Sequence, residues 1–270
     1  PCTNNMKSMN SYKIIIISLI FLFSLFLNFI NTLFLFALCI LPFIKRSLKE
    51  NLNKKHGINH VKASRLGGVC LLVFIIFTIY FYQINLLNTV ELNLYLYLSG
   101  LMIAFIGLTD DLLGGIRASL KLILIIFSIL FLLINNEYLI YNYSGIIFLD
   151  SILSYKIIGY LVTSFVLVGF INATNISDGV NGLIIGNSLI FFITFYLINN
   201  DTNILFLINF LVILFLYNIF ISNVYLGDTG SYFLGFLIST FSLYLYSKDL
   251  CSAGLLATIL SYPSLEIVFT

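Results

Sequence analysis

The sequence predicts an all-α polytopic membrane protein, with about nine membrane-crossing helices in these 270 residues and ten or eleven in a complete chain. Three observations carry that expectation. Hydrophobic residues make up 60% of the chain and charged residues 9%, where a soluble domain carries roughly 25% charged. The mean hydropathy is +1.08. Long continuous apolar runs recur between short polar segments, whereas an outer-membrane barrel needs alternating strands of about ten residues.

The first apolar run extends from near Ile14 to near Phe43. At roughly 30 residues it exceeds one crossing, and a single long tilted helix is preferred to two short ones. Asn28 and Asn31 interrupt it. A basic loop, 44–65, follows. The second span is expected near Leu66 to Phe81, the third near Tyr95 to Leu108 with a start as early as Val90, and the fourth near Ala118 to Ile134. The polar segment 135–154 contains aromatics and β-formers and reads as a short hairpin or an interfacial loop. Further spans are expected near Ile157 to Ile171, Leu183 to Ile198, Ile204 to Ile221 and Tyr232 to Tyr246. The ninth begins near Ala253 and is still apolar at Thr270, without a stop or a basic anchor, which predicts a chain that continues. Residues 1–270 form one transmembrane domain in this reading.

Charge orients the bundle. Seven of the 13 basic residues (Lys45, Arg46, Lys49, Lys54, Lys55, Lys62 and Arg65) fall in one short segment. Cytoplasmic anchoring explains that cluster better than a nucleic-acid patch, and no nucleic-acid partner is expected. With 44–65 inside, nine crossings place 135–154 outside. They place Arg117, Lys121, Asp110, Asp111, Asp178 and Asp228 inside. The basic bias and the carboxylates therefore choose the same face independently. Cys2, Cys39, Cys70 and Cys251 have no CxxC spacing and read as small hydrophobes. Lipid-facing and partner-facing surfaces look alike in sequence, which leaves a homodimer open.

Four constellations carry chemistry. In Gly107-Leu108-Thr109-Asp110-Asp111, two adjacent acids close an apolar helix, where charge is tolerated only when offset or used. Mg²⁺, with Mn²⁺ as its substitute, suits them because it takes hard oxygen ligands and keeps waters that phosphates replace. The bland alternative is a solvated acid pair at the start of the next helix. In the second, Asn172, Asn175, Asp178 and Asn181 recur every three residues. A helix end at Gly179 or Gly182 lets them converge, and amides with a carboxylate can read a nucleobase, a ribose or an N-acetyl group. The third joins Asn218 to Val224-Tyr225-Leu226-Gly227-Asp228-Thr229-Gly230-Ser231. It offers Asp228 as a metal ligand beside Asp111, Tyr225 for base stacking, and glycines for close backbone approach to phosphate. No GxxxxGK[ST] loop is present. The fourth is basic: Lys62 and Arg65, with Lys121 from another helix, can hold phosphate. His56 and His60 alone make no zinc site. Acids for a divalent cation, amides for recognition and cations for phosphate, all at one interface, suit phosphoryl transfer. A transporter would more often place such groups at mid-membrane.

These segments resemble the polyprenyl-phosphate N-acetylhexosamine-1-phosphate transferases, the glycosyltransferase family 4 proteins that include phospho-N-acetylmuramoyl-pentapeptide transferase. The matching stretches are SRLGG at 64–68, GLTDD at 107–111, NATNISDGVNGL at 172–183, VYLGDTGS at 224–231 and SYPSLE at 261–266. The resemblance implies a multi-pass protein of the bacterial cytoplasmic membrane, with its active site facing the cytoplasm. It implies a UDP-N-acetylhexosamine donor, an undecaprenyl phosphate acceptor, Mg²⁺ assistance and UMP as leaving group. Asp110 and Asp111 resemble the aspartate pair near the lipid phosphate, Asp110 being the better proton acceptor. Lys121 resembles the lysine of the following helix, Asn175 and Asp178 resemble substrate-site residues, and Asp228 resembles the metal-binding aspartate. Asn181 stands where an aspartate is commoner, in a position that contacts uracil. Tyr225 resembles the aromatic residue that packs on the base.

Three departures accompany the match. Ser64 and Ile221 stand where proline is usual, and the family's histidine-rich motif is expected beyond SYPSLE. Leu112, Leu113 and Gly114 replace the aromatic and lysine of the muramoyl-pentapeptide branch. The resemblance therefore leans to the UDP-N-acetylhexosamine branch that begins O-antigen, capsule or related polymers.

Overall fold

A computed structural model of the chain describes residues 67–82, 90–140, 147–179, 182–221 and 225–269. The first apolar run, the basic loop with Lys62 and Arg65, and Asn181 lie outside the described residues. Among the described residues there are helices and no β-strand. In chain order these are α1 (Gly67–Tyr82), α2 (Val90–Leu113), α3 (Ala118–Asn135), α4 (Ile147–Leu153), α5 (Lys156–Ser177), α6 (Leu183–Asn199), α7 (Ile204–Ile221), α8 (Gly227–Ser247), α9 (Ala253–Ile259) and α10 (Ser261–Phe269). A single 3₁₀ turn, Glu137–Leu139, follows α3.

Leu94–Leu113, Ala118–Asn135 and Lys156–Ser177 are long and apolar enough to cross a membrane; Gly67–Ile76, Leu183–Asn199 and Ile204–Phe220 are shorter apolar helices. Large apolar side chains such as Phe105, Phe127, Phe165 and Leu197 point outward, Phe165 with 80% of its surface exposed. Such a surface is stable against hydrocarbon and unfavourable against water.

Helix α8 is the central post. Nearly every side chain from Gly227 to Leu245 is buried, and α8 packs against α1, α2, α5 and α6. It is also the helix richest in hydroxyls. Those satisfy themselves on the preceding turn: Thr240 Oγ1 donates to the Phe236 carbonyl at 2.7 Å and Ser242 Oγ to the Ile238 carbonyl at 2.7 Å. A polar helix can thus sit inside apolar neighbours without orphaned donors. Phe192 and Phe195 of α6 pack on Phe241 of α8, with ring centroids 5.9 and 5.1 Å apart.

The structure corrects four expected boundaries. Helix α2 runs past Leu108 to Leu113, so both aspartates are helical. It stops at Gly114 and Gly115, whose φ values of +72° and +125° suit glycine alone. Helix α5 continues to Ser177 and carries Asn172 and Asn175 on its last turns; it ends before Gly179, with Asp178 as its C-cap. Helix α8 starts at Gly227, which puts Asp228 in its first turn. The expected ninth span is two short helices. Pro263 lacks an N–H and its ring crowds the carbonyl of Ile259, where α9 ends. Ser261 Oγ and Ser264 Oγ donate to the Thr258 and Leu260 carbonyls across that break. The described residues of segment 135–154 form a 3₁₀ turn and a short helix, and 141–146 lie outside the described residues.

Candidate active site

One end of the bundle gathers the C-termini of α2 and α5 with the N-termini of α1, α3 and α8. Helix ends leave backbone N–H and C=O groups unpaired, and here several are satisfied across helices. The N–H groups of Gly67 and Gly68, at the start of α1, donate to the carbonyls of Tyr225 at 2.9 Å and Leu226 at 2.8 Å. Helix α8 has no side-chain cap from its own N-cap residue, Leu226. Asp111 of α2 caps it instead. Its Oδ1 accepts from the Asp228 N–H at 3.1 Å, and its Oδ2 accepts from the Thr229 N–H at 2.9 Å and Thr229 Oγ1 at 2.7 Å.

These contacts need close backbones. A Cβ on Gly107 would lie 2.5 Å from the Asp228 carbonyl oxygen, and one on Gly68 would lie 2.2 Å from the Gly230 nitrogen. Gly68 and Gly230 therefore serve helix packing.

Asp110 turns away from its neighbour into a charged cluster. Adjacent helical residues diverge by about 100°, so two successive acids face different partners. Asp110 is 5% exposed. Its Oδ2 accepts from Lys121 Nζ at 2.9 Å, and its Oδ1 accepts from the Ile116 N–H in the turn after α2. Lys121, in the first turn of α3, also lies 3.7 Å from Asp228 Oδ2. The Asp110 and Asp228 carboxyls thus share the Lys121 ammonium. Asp228 precedes the apolar stretch of α8. Burial pushes its carboxyl up to about 7, the neighbouring Asp110 and Asp111 add to the shift, and Lys121 opposes it. Two carboxyls so close cannot both ionise cheaply beside a single cation.

The amide side is held by α5. Asn175 Oδ1 accepts from Ser231 Oγ at 2.6 Å, which ties α5 to α8 one turn beyond Asp228. Thr174, also of α5, donates through Oγ1 to the Ser231 carbonyl at 3.2 Å. Asn172 sits nearly one turn back and donates Nδ2 to the Val168 carbonyl at 2.8 Å. Asp178 is half-buried at the end of α5, and Tyr225 is half-buried just before α8.

The structure thus brings together Asp110, Asp111, Lys121, Asn175 and Asp228 from four helices. Sequence reasoning passed over Thr229, Ser231 and Thr174. Thr229 and Ser231 lie inside the matched VYLGDTGS stretch, but only the position of α8's first turn shows that their hydroxyls face α2 and α5.

Among the described residues no group of three or more His, Cys, Asp or Glu side chains converges as a metal cage. The residues fit Mg²⁺ in another form. Mg²⁺ commonly binds one or two carboxylates and completes its shell with water and substrate phosphates. Asp110 and Asp228 are such a pair, and their mutual repulsion is the kind a divalent cation relieves, whereas Asp111, the ligand expected beside Asp228, has both oxygens engaged by residues 228 and 229.

Comparison with known proteins gives a consistent picture. The family model described as glycosyl transferase family 4 matches residues 93–246, which hold Asp110, Asp111, Lys121, Asn175 and Asp228. A Petrotoga mobilis protein named phospho-N-acetylmuramoyl-pentapeptide-transferase is 31% identical over 240 residues, covering 83% of this chain and 74% of its own. A Staphylococcus carnosus protein of the same name is 27% identical over 243 residues, covering 80% and 75%. A Thermotoga maritima protein named undecaprenyl-phosphate alpha-N-acetylglucosaminyl 1-phosphate transferase is 35% identical over 103 residues, covering 38% and 32%.

Proposed function

This chain belongs to glycosyl transferase family 4, and from that premise and the site's geometry we propose that it transfers an N-acetylhexosamine 1-phosphate from a UDP-sugar to undecaprenyl phosphate. The observation that carries the reading is the Asp110–Lys121–Asp228 cluster where the ends of α2, α3 and α8 meet. An oxygen of the lipid phosphate attacks the sugar-proximal phosphorus of the donor. A new P–O bond forms to the lipid, the bond to the bridging oxygen breaks, and UMP leaves. Lys121 neutralises phosphate charge in this site, and Asp110 takes the proton when the acceptor arrives as the monoanion. Asp228, with Asp110 beside it, holds Mg²⁺, which when bound offsets the charge gathering on the phosphate oxygens. Asn175 and Asp178, joined by Asn172 and Asn181, address the sugar and uridine; Tyr225 stacks on the base; Lys62 and Arg65 hold phosphate.

The membrane supports the acceptor. An apolar groove of about 710 Å³ runs between α5, α8, α9 and α10, lined by Phe165, Phe170, Leu243, Tyr246, Leu256 and Leu260 among others. It suits a prenyl tail whose phosphate reaches the helix ends. The proposed topology is one domain in the bacterial cytoplasmic membrane with nine crossings, the last broken into α9 and α10, with 44–65 and the active site facing the cytoplasm and 135–154 outside.

A second reading is the muramoyl-pentapeptide branch, favoured by relatives of that name that align over 80% or more of the chain. Leu112, Leu113 and Gly114 after the aspartate pair favour the first. Membranes holding the full-length protein, given undecaprenyl phosphate and sugar-labelled UDP-N-acetylglucosamine, should form labelled lipid that Mg²⁺ sustains and chelator abolishes. Labelled lipid only from UDP-N-acetylmuramoyl-pentapeptide would move the assignment to the second branch. No lipid product from either donor would end both.

A further inference from the structure

We propose that Thr229 is a positioning residue for the reaction, working through Asp111 to fix the first turn of α8 and hence the Asp228 carboxyl. The inference deepens the transferase reading and rests on it. Both Asp111 oxygens are engaged by three donors of residues 228 and 229, so the second acid of the pair acts as a cap supplied from a neighbouring helix. Negative charge at a helix N-terminus is favourable, and a cap fixes the direction of the turn it closes. The Thr229 hydroxyl adds the shortest of the three bonds, from a side chain wholly shielded from solvent.

The latch explains why the two acids are adjacent. Asp110 faces Lys121 and Asp228, where phosphate and cation meet. Asp111 faces the backbone that carries Asp228. Gly107 lies one turn before Asp111 on α2, and its missing side chain lets that backbone come within reach. A loosened latch would let the first turn of α8 fray. The Asp110–Asp228 separation would then vary, while the donor's amide contacts on α5 would stay in place.

The test uses full-length protein in lipid nanodiscs. Thr229→Val keeps the side chain's shape and removes the hydroxyl. It should lower kcat about 10- to 100-fold, the range for losing one hydrogen bond to a charged group, with KM for the UDP-sugar within about twofold. Thr229→Ser should restore turnover to within about threefold of wild type, which a purely volumetric role would not predict. The rise in thermal midpoint on adding Mg²⁺ should shrink in the Val variant and return in the Ser variant. In an Asp111→Asn background, Thr229→Val should cost less than about threefold more, because coupled residues are not additive.

Wild-type turnover per folded Thr229→Val molecule would overturn the proposal. So would equal damage from Val and Ser, or the same cost in both Asp111 backgrounds. If Thr229→Val does not fold, Thr229→Ala takes its place in the same comparisons. Wild-type protein that makes no lipid product would defeat the transferase reading instead. The latch is then judged by the Mg²⁺-dependent midpoints of the same variants.

Discussion

Replacing Lys121 with Met removes a cation that lies beside both acids of the cluster while keeping a side chain of similar length. Lys121 Nζ lies 2.9 Å from Asp110 and 3.7 Å from Asp228, with 18% of its side chain exposed. At an effective dielectric of about 20, those distances correspond to Coulomb terms of roughly 6 and 4.5 kcal/mol. Neither is a net energy, because the lysine also leaves water, and in its absence Asp110 and Asp228 can share a proton. Removing one partner of a buried pair costs about 3–5 kcal/mol in full burial, and a partly exposed lysine should fall to about 2–3 kcal/mol. Catalysis should suffer more specifically, since losing one preorganised phosphate-side charge typically costs about 10²- to 10³-fold in rate. The assay is UMP release from UDP-N-acetylglucosamine by purified full-length protein with undecaprenyl phosphate, normalised to folded protein by thermal unfolding. Lys121→Arg should recover only part of the rate, because a planar fork does not replace a point charge between two carboxyls. A Lys121→Met enzyme within about threefold of wild type would refute the reasoning, whatever its stability.

Four further outcomes follow from the same geometry. Asp228→Asn should lose at least about 100-fold in turnover with little change in folded yield, read by the same UMP assay. Because Asp228 is pushed up to about 7, proton and metal compete for it. The half-saturating Mg²⁺ concentration should fall about tenfold per pH unit as pH rises towards 7 and level off above it; a flat profile from pH 6 to 8 would remove Asp228 from the metal site. The same raised value makes ionised Asp228 unfavourable in the metal-free fold. Stability in chelator should therefore decline as pH climbs from the ordinary carboxylate range to about 7, and thermal midpoints at pH 5.5 and 8 check that sign. Gly107→Ala places a methyl 2.5 Å from the Asp228 carbonyl oxygen and should cost about 1–3 kcal/mol by thermal unfolding, with activity falling as α2 and α8 separate.

Much of this is legible in the amino-acid sequence itself. Apolar runs located α1, α3, α6 and α7 closely, because nothing but burial and length decides such helices. Errors fell where helices carry polar residues through to a functional end. Hydropathy stops at Leu108, Ile171 and Tyr232, whereas the backbone stays helical until glycine geometry ends α2 and from Gly227 onward in α8. Asp110, Lys121 and Asp228 stood out because charge beside apolar runs is costly. Thr229, Ser231 and Thr174 did not, since a lone hydroxyl satisfies itself on any helix and only neighbouring backbones reveal another partner. The division of labour between Asp110 and Asp111 was equally hidden, because it depends on which helix faces each side of α2.

The most direct test follows one atom of phosphorus. UDP-N-acetylglucosamine labelled in its sugar-proximal phosphate is incubated with undecaprenyl phosphate, Mg²⁺ and the full-length protein, and lipid and nucleotide fractions are counted. Transfer of sugar 1-phosphate sends the label into lipid and releases one unlabelled UMP per product. Label left on the nucleotide as UDP, with sugar alone on the lipid, would show that bond breaking occurs on the other side of that phosphorus and would contradict the account.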